Sequence, residues 1–240
     1  MLSERGQKGS ARVLSDVDLQ LARRYAPILS FDENEPFLPV RIGVTVLRSA
    51  GASPSFPRSF AFDDDRLDAV VEYAIYWDYD ITHLYDLEHV WVFVGKDGSV
   101  LDCEGSFHGK YLKGMLEDRS NLMGTQVQLL SQPGKHALSP IVDIFKLWPG
   151  AARSAQEDAG KDGLIVTAAF RGAFETTPEI DQAVKTYMQQ RFRFIPTWRF
   201  VPFDLPEEIF ISWEELRHEV PKRIAACLND IQETLRREEA

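Results

Sequence analysis

The stretch HLYDLEH, residues 83–89, puts one imidazole and two carboxyl groups, His83, Asp86 and Glu88, between two runs of strand-like apolar composition, YAIYWDYD and VWVFV. Two more acids, Asp78 and Asp80, end the first run, and GSFHGKY supplies Ser106 and His108 downstream. Carboxylates crowded together repel, and burying even one in its ionised form is costly, so either they take up protons or a cation sits among them. With no thiolate nearby, carboxyl and imidazole donors suit a hard or borderline divalent ion, Mg²⁺, Ca²⁺ or Mn²⁺, better than structural zinc. Such an ion supports three chemistries. It can bridge the cavity to hydroxyls or a phosphate of a glycan or lipid headgroup, or it can lower the pKa of a bound water, with Glu88 or His108 as base, in a metal-dependent hydrolase. It can also simply hold the fold. The plainer reading is a solvated sheet edge, which often carries Asp and Glu.

Other residues are weaker candidates. His136, in QPGKHALSP, follows a strand-like run and a Pro-Gly turn, so it is either a surface imidazole or one that approaches the pocket from a neighbouring loop. Ser106 beside His108 and Asp86 suggests a nucleophile, but no strand-turn-helix elbow of the G-x-S-x-G type surrounds it, and a hydrogen-bonding role beside the ion is simpler. Phosphate-binding glycine loops and HExxH helices are absent from the sequence.

The elements that must position these groups can be read from the pattern. VGKDGSV fits a three-residue hairpin loop, Lys96-Asp97-Gly98, with Gly98 in the left-handed conformation. Gly95 then faces Ser99, so Trp91 should oppose Cys103, Phe93 oppose Leu101 and Leu87 oppose Phe107, forming one apolar face. The other face should carry Asp86, Glu88, Ser106 and His108, with Asp86 opposite His108. The same parity makes Tyr73, Ile75, Trp77 and Tyr79 the apolar side of the preceding strand and leaves Asp78 and Asp80 on the polar side.

Around this hairpin the sequence predicts a short helix through LQLARRYA, capped by Ser15, and strands at ILSF, PVRIGVTVL, SVLDCEGS, QVQLLS and GLIVTAAFRGAFE. Residues 50–65 and GAARSAQEDAGKDG (150–163) read as exposed loops. TTPEIDQAVKTYMQQRF predicts a helix with Pro178 in its first turn. A capping box from Ser212 to Glu215 starts an amphipathic C-terminal helix, interrupted by Pro221, with Ile224, Leu228, Ile231 and Leu235 on one docked face. Strands followed by helices imply an α+β fold: an antiparallel β-sandwich core flanked by helices, in one domain spanning 1–240 with an inserted loop and helix region around 140–205.

Bulk composition narrows the function. The 240 residues are 44% hydrophobic, and 37 acidic against 27 basic residues give a net charge of −10. That balance disfavours nucleic acid or an anionic membrane as partner. The sequence shows neither a signal-peptide h-region nor a run of eighteen apolar residues, so no transmembrane segment is expected and the default compartment is the cytoplasm, with leaderless export left open. Cys103 and Cys227 read as reduced core thiols, with one long-range disulfide as the alternative.

At these residues the chain resembles the necrosis- and ethylene-inducing-like proteins (NLP cytolysins) and their vacuolar-sorting-type relatives. Their Gly-His-Arg-His-Asp-Trp-Glu heptapeptide leads into a Val-rich strand; THLYDLEHVWVFV keeps its His-x-x-Asp-x-Glu frame as His83, Asp86 and Glu88 and replaces the rest. YAPILSFDENEPFLPV, YWDYD, GSFHGKY and ISWEEL are similar, in chain order, to further family segments, so the resemblance covers most of residues 25–115 plus 209–216. It implies a β-sandwich whose acidic cavity holds a divalent cation and, in secreted members, binds sphingolipid sugar headgroups. Carried over, the ligand set is Asp80, His83, Asp86 and Glu88, with His108 close by; Asp78 competes with Asp80 because the shorter loop lets the alignment slide by two. Loss of the flanking heptapeptide residues argues against cytolysis.

Overall fold

The computed structural model describes residues 14–148 and 150–238. In chain order the strands are β1 (Ile28–Asp32), β2 (Arg41–Leu47), β3 (Gly51–Ala52), β4 (Ser59–Phe60), β5 (Leu67–Tyr79), β6 (His83–Gly95) and β7 (Val100–Phe107). They continue with β8 (Lys110–Lys113), β9 (Leu122–Met123), β10 (Gln126–Ser131), β11 (Leu138–Ser139), β12 (Gly163–Leu164), β13 (Phe200–Pro202) and β14 (Phe210–Ser212). The helices are α1 (Asp16–Tyr25), α2 (Asp143–Lys146), α3 (Ala151–Ser154), α4 (Pro178–Arg191) and α5 (Trp213–Glu238).

Two sheets face each other across the main core. The larger runs β14-β2-β5-β6-β7-β8 with β12 added to β6, and the smaller runs β11-β10-β1-β13 with β9 on β10. Leu29, Val127 and Leu129 of the small sheet pack in one cluster with Ile75, Val90 and Val92 of the large one, and burying each such side chain contributes about 1.5–3 kcal/mol. The fold is thus α+β with a terminal amphipathic helix, as expected. Its sheets are mixed, however: β14 runs parallel to β2, β12 to β6 and β1 to β10.

Local signals placed several elements well. Ser15 caps α1 by accepting from the Asp18 amide, and Thr177 caps α4 with Pro178 at its start. Ser212 and Glu215 form the reciprocal capping box of α5, each accepting from the other's backbone N–H. Pro221 does not interrupt α5, which continues through it at the loss of one i−4 hydrogen bond, because the helix face on either side, Leu216, Val220, Ile224 and Ile231, is docked on the core. α5 crosses β2 at Gly43, where a Cβ would lie 2.8 Å from Leu216 Cδ2 and 3.2 Å from Trp213 Cα.

Two loop and strand expectations need correction. GLIVTAAFRGAFE is a strand only at Gly163–Leu164; Ile165, Val166 and Thr167 are exposed, and a single 3₁₀ turn follows at Ala168–Phe170. Its branched residues carry β-propensity, but pairing with β6 stops after Leu84, next to Tyr85 at φ +55°, so only two residues find a partner. The 150–163 segment is not merely an exposed loop, since Ala155 and Ala159 are fully buried in the core.

The register of the central hairpin also departs from expectation. Gly98 adopts φ +79° and the turn closes as predicted, with the Gly95 amide donating to the Ser99 carbonyl at 2.8 Å. One step later a bulge intervenes: Val94 faces Val100, but Phe93 faces Asp102, Val92 faces Cys103 and Trp91 faces Glu104. Trp91 therefore does not oppose Cys103, and Asp86 does not oppose His108, because β7 ends at Phe107 and His108 turns away at φ +49°.

Candidate functional site

Across the β5–β6 ladder Tyr73 faces Val90, Ile75 faces Glu88 and Trp77 faces Asp86. Cross-strand partners share a face, so Asp86 and Glu88 extend the inward row of Val90 and Val92 and do not join Asp78 on an outer polar row. The sequence misled on this point because both faces of the sheet are apolar: Trp91 packs outward in a second small core with Phe60, Leu67 and Val70. Asp78 lies under α5, where the Arg223 guanidinium donates to both of its oxygens at 2.9 and 2.7 Å. It takes no part in the site.

The hairpin tip delivers Asp80. Its amide donates to the His83 carbonyl at 2.9 Å, closing a tight turn over Ile81 and Thr82. Oδ1 of Asp80 accepts from the Thr82 amide at 2.6 Å, the Thr82 hydroxyl at 3.0 Å and the Lys135 ammonium at 2.7 Å. Oδ2 is buried and has no hydrogen-bond partner. His83 sits at the rim, Nδ1 donating to the Tyr85 carbonyl at 2.8 Å and Nε2 3.6 Å from Asp80 Oδ1.

A second turn, Gln132–Ala137, closes on that tip. Gly134 at φ +69° packs on Ile81, where a Cβ would meet Ile81 Cγ2 at 2.8 Å, and its amide donates to Glu35 Oε2 at 2.7 Å. The turn drives Lys135 into the cavity and His136 into the core behind Asp86. His136 is fully buried, stacks on Trp77 with ring centroids 4.4 Å apart, and donates from Nδ1 to Asp86 Oδ2 at 3.1 Å. Its Nε2 lies 3.7 Å from Glu35 Oε1, an ion-pair distance too long for a hydrogen bond. Glu88 is buried and accepts from the Ser106 hydroxyl, which in turn accepts from the His89 amide at 2.5 Å. His108 lines the cavity and meets Gln132 Oε1 through Nε2 at 2.8 Å.

Charge follows geometry. Burial pushes Asp80 toward its neutral form, but the positive charges of His83, Lys135 and His136 outweigh it and bring its pKa from 3.8 down to about 2. Glu88 goes the other way: burial, then repulsion from Asp86, raise it from 4.5 to about 8, against the smaller pull of the Ser106 hydrogen bond. Burial also opposes charge on His136, yet its bond to Asp86 and the Glu35 carboxylate lift it from 6.5 to about 10. Lys135 is held above its ordinary value by Asp80 and Asp86 despite burial, while burial pushes His108 down. The same structure thus holds Asp80 ionised and Glu88 protonated only residues apart.

Asp80, His83, Asp86, Glu88, His108 and Lys135 border a cavity of about 330 Å³, one wall of which is apolar, from Phe56, Leu87, Ile165, Ala168 and Ala169. A smaller lobe of about 250 Å³ adjoins it, sharing His83, His108 and Lys135 and lined further by Trp148, Asp158 and Lys161. A divalent ion implied by the resemblance fits the two carboxylates: Asp80, Asp86 and His136 have candidate ligand atoms within 4.8 Å of one another, and His136 would have to release a proton to join the set. The partnerless Asp80 Oδ2 gives such an ion a buried hard oxygen.

The sequence pattern groups Asp80, His83, Asp86, Glu88, Ser106 and His108 at one end of the sheet, leaves His136 open between surface and pocket, and does not point to Lys135 or Glu35. The signal for Lys135 and His136 lay in the Gly of QPGKH, whose positive φ turns two consecutive cationic side chains toward the acids, whereas nothing in DENEPF marked Glu35. Cys103 and Cys227 are both free, the first buried in the core and the second half-buried.

The fold and site define a two-sheet α+β protein with a buried carboxylate and imidazole cavity at one end of its larger sheet. No protein-family model matches the sequence, and no curated protein matches it. Among solved structures, NLPPya in complex with glucosamine is similar at 19% identity and a TM-score of 0.36, over 52% of this chain and 67% of that one. NLPPya in complex with mannosamine gives 22% identity and a TM-score of 0.34, over 52% and 69%. Necrosis and ethylene inducing protein 2, from the causal agent of cocoa's witches' broom disease, gives 18% identity and a TM-score of 0.33, over 55% and 71%. Among the described residues, no helix is long and apolar enough to cross a membrane.

Proposed function

We propose that the cavity binds one divalent cation, Mg²⁺, Ca²⁺ or Mn²⁺, and through it hydroxyl groups of a glycan or lipid headgroup. Asp80 and Asp86 are the ligands by this reading, His136 orients Asp86 through its Nδ1 hydrogen bond, and His83 and Glu88 stand beside the ion. The observation that carries the reading is Asp80 Oδ2, a buried ionised oxygen with no hydrogen-bond partner, adjacent to two further donor groups. Buried charged oxygens otherwise find partners. A cavity of about 330 Å³ is at the small end of ligand sites, and its apolar wall suits the carbon face of a sugar ring while the ion takes the hydroxyls. Neutral Glu88 can donate a hydrogen bond to a ligand oxygen, as a protonated carboxyl does.

Elemental analysis of the purified protein tests the cation, with Asp80→Asn and Asp86→Asn as controls. The wild-type chain is expected to retain about one divalent ion after equilibration with Mn²⁺ and the variants far less; equal content in all three overturns the site. Binding to a glycan and lipid-headgroup array, with and without chelator, then tests the ligand class. Signal that persists unchanged in chelator rejects the bridging role of the ion.

A further inference from the structure

Resting on the cation reading above, we infer that Lys135 is a built-in competitor for the ion, a tethered cation that sits against Asp80 when no metal is bound and holds the site's affinity low enough for exchange. Its ammonium lies 2.7 Å from Asp80 Oδ1 and donates to the Thr82 hydroxyl at 2.9 Å, with its side chain only 10% exposed. The Lys135 bond to Asp80, with the two from Thr82, fills the hydrogen-bonding capacity of Oδ1 and leaves only Oδ2 for an incoming ion. An ion on Oδ2 therefore shares one carboxylate with a fixed positive charge. At such short range inside a protein, like charges repel strongly.

A site built solely around a metal would leave Asp80, Asp86 and Glu35 uncompensated whenever the ion departed, and the cluster would repel itself apart. Here Lys135 meets Asp80, and His136 stands between Asp86 and Glu35. The turn that carries both residues is pinned to the hairpin tip by the Ile81 amide, which donates to the Gly134 carbonyl at 2.7 Å. Both hydrogen bonds of Lys135, to Asp80 and to Thr82, are to the same tip, so the ammonium is anchored there at two points. The ammonium thus stays beside the ion instead of swinging clear. The chain is built to be folded both with and without metal, and the lysine sets the exchange between the two states.

The test is Mn²⁺ titration by calorimetry, with melting curves in Mn²⁺ and in EDTA, on the wild-type chain, Lys135→Gln, Lys135→Met and Lys135→Arg. Gln keeps a donor for Asp80 while removing the charge, and Arg keeps the charge. Both neutral variants are expected to bind Mn²⁺ at least tenfold more tightly than wild type, to melt lower in EDTA and to recover in Mn²⁺, whereas Lys135→Arg stays weak. A neutral variant that folds only with Mn²⁺ supports the inference. If wild type and the neutral variants bind equally, the cation reading stands and the role of Lys135 is overturned. Binding by the neutral variants alone supports the lysine's role and rejects the ion in the native chain; binding by none of the four rejects both.

Discussion

Replacing Asp80 by Asn offers a sharp test of the charge balance in the cavity, because its cost can be estimated by two routes. Asp80 is 1% exposed, and its pKa lies at about 2 instead of 3.8. A depressed carboxyl contributes stability that is present above its unfolded value and lost as pH falls through about 2; the difference corresponds to about 2.5 kcal/mol at neutral pH. Removing one partner of a buried ion pair, which strands the Lys135 ammonium, costs about 3–5 kcal/mol by comparison with other proteins. Asn keeps an oxygen for Thr82 and Lys135, so the expected loss is about 2–4 kcal/mol, or roughly 4–16 °C in Tm for a chain of this size. The assay is urea and thermal unfolding in EDTA at pH 7, extended to Lys135→Met and the double variant. With both charges gone neither member of the Asp80–Lys135 pair is left stranded, so the double variant should be more stable than the sum of the singles predicts, with a coupling of about 2 kcal/mol. Asp80→Asn within about 0.5 kcal/mol of wild type, or strict additivity in the cycle, would refute the argument.

Three further outcomes are expected. Glu88 is raised to about 8, so the stability its burial allows is present below pH 4.5 and lost as pH rises through 8; in EDTA, Glu88→Gln should flatten that decline by a few kcal/mol, and an unchanged slope rules out a protonated Glu88. Asp78→Ala should cost about 1 kcal/mol, since its pair with Arg223 is partly exposed, and leave Mn²⁺ affinity as it was; weakened binding would return Asp78 to the site. Gly43→Val should destabilise by about 1–3 kcal/mol through overpacking against Leu216, and a neutral result in urea unfolding would mean that α5 does not sit tightly on β2.

Local chemistry in the sequence determined what depends on near neighbours. Ser15, Pro178 and the Ser212–Glu215 box placed the starts of three helices, Gly98 placed the hairpin turn, and the spacing of His83, Asp86 and Glu88 marked one end of a strand pair as chemically unusual. Each rests on contacts within a few residues, which composition and spacing encode directly. Tertiary structure decided the rest. Only the packing of α5 on one side and the small sheet on the other defines which face of β6 is inward, because Trp91 and Val92 are equally apolar and alternation alone cannot rank them. The bulge after Phe93 moved Trp91 and Cys103 out of register for the same reason: both pairings bury hydrophobic surface. Lys135 and His136 lie 55 and 50 residues from Asp80 and Asp86, and Glu35 lies 99 from the Gly134 amide it accepts from; a glycine turn docking on Ile81 brings them together, and no spacing rule spans such distances. Whether the acids need an outside cation or carry their own is therefore written in the folded chain, where charges distant in sequence come within hydrogen-bonding reach.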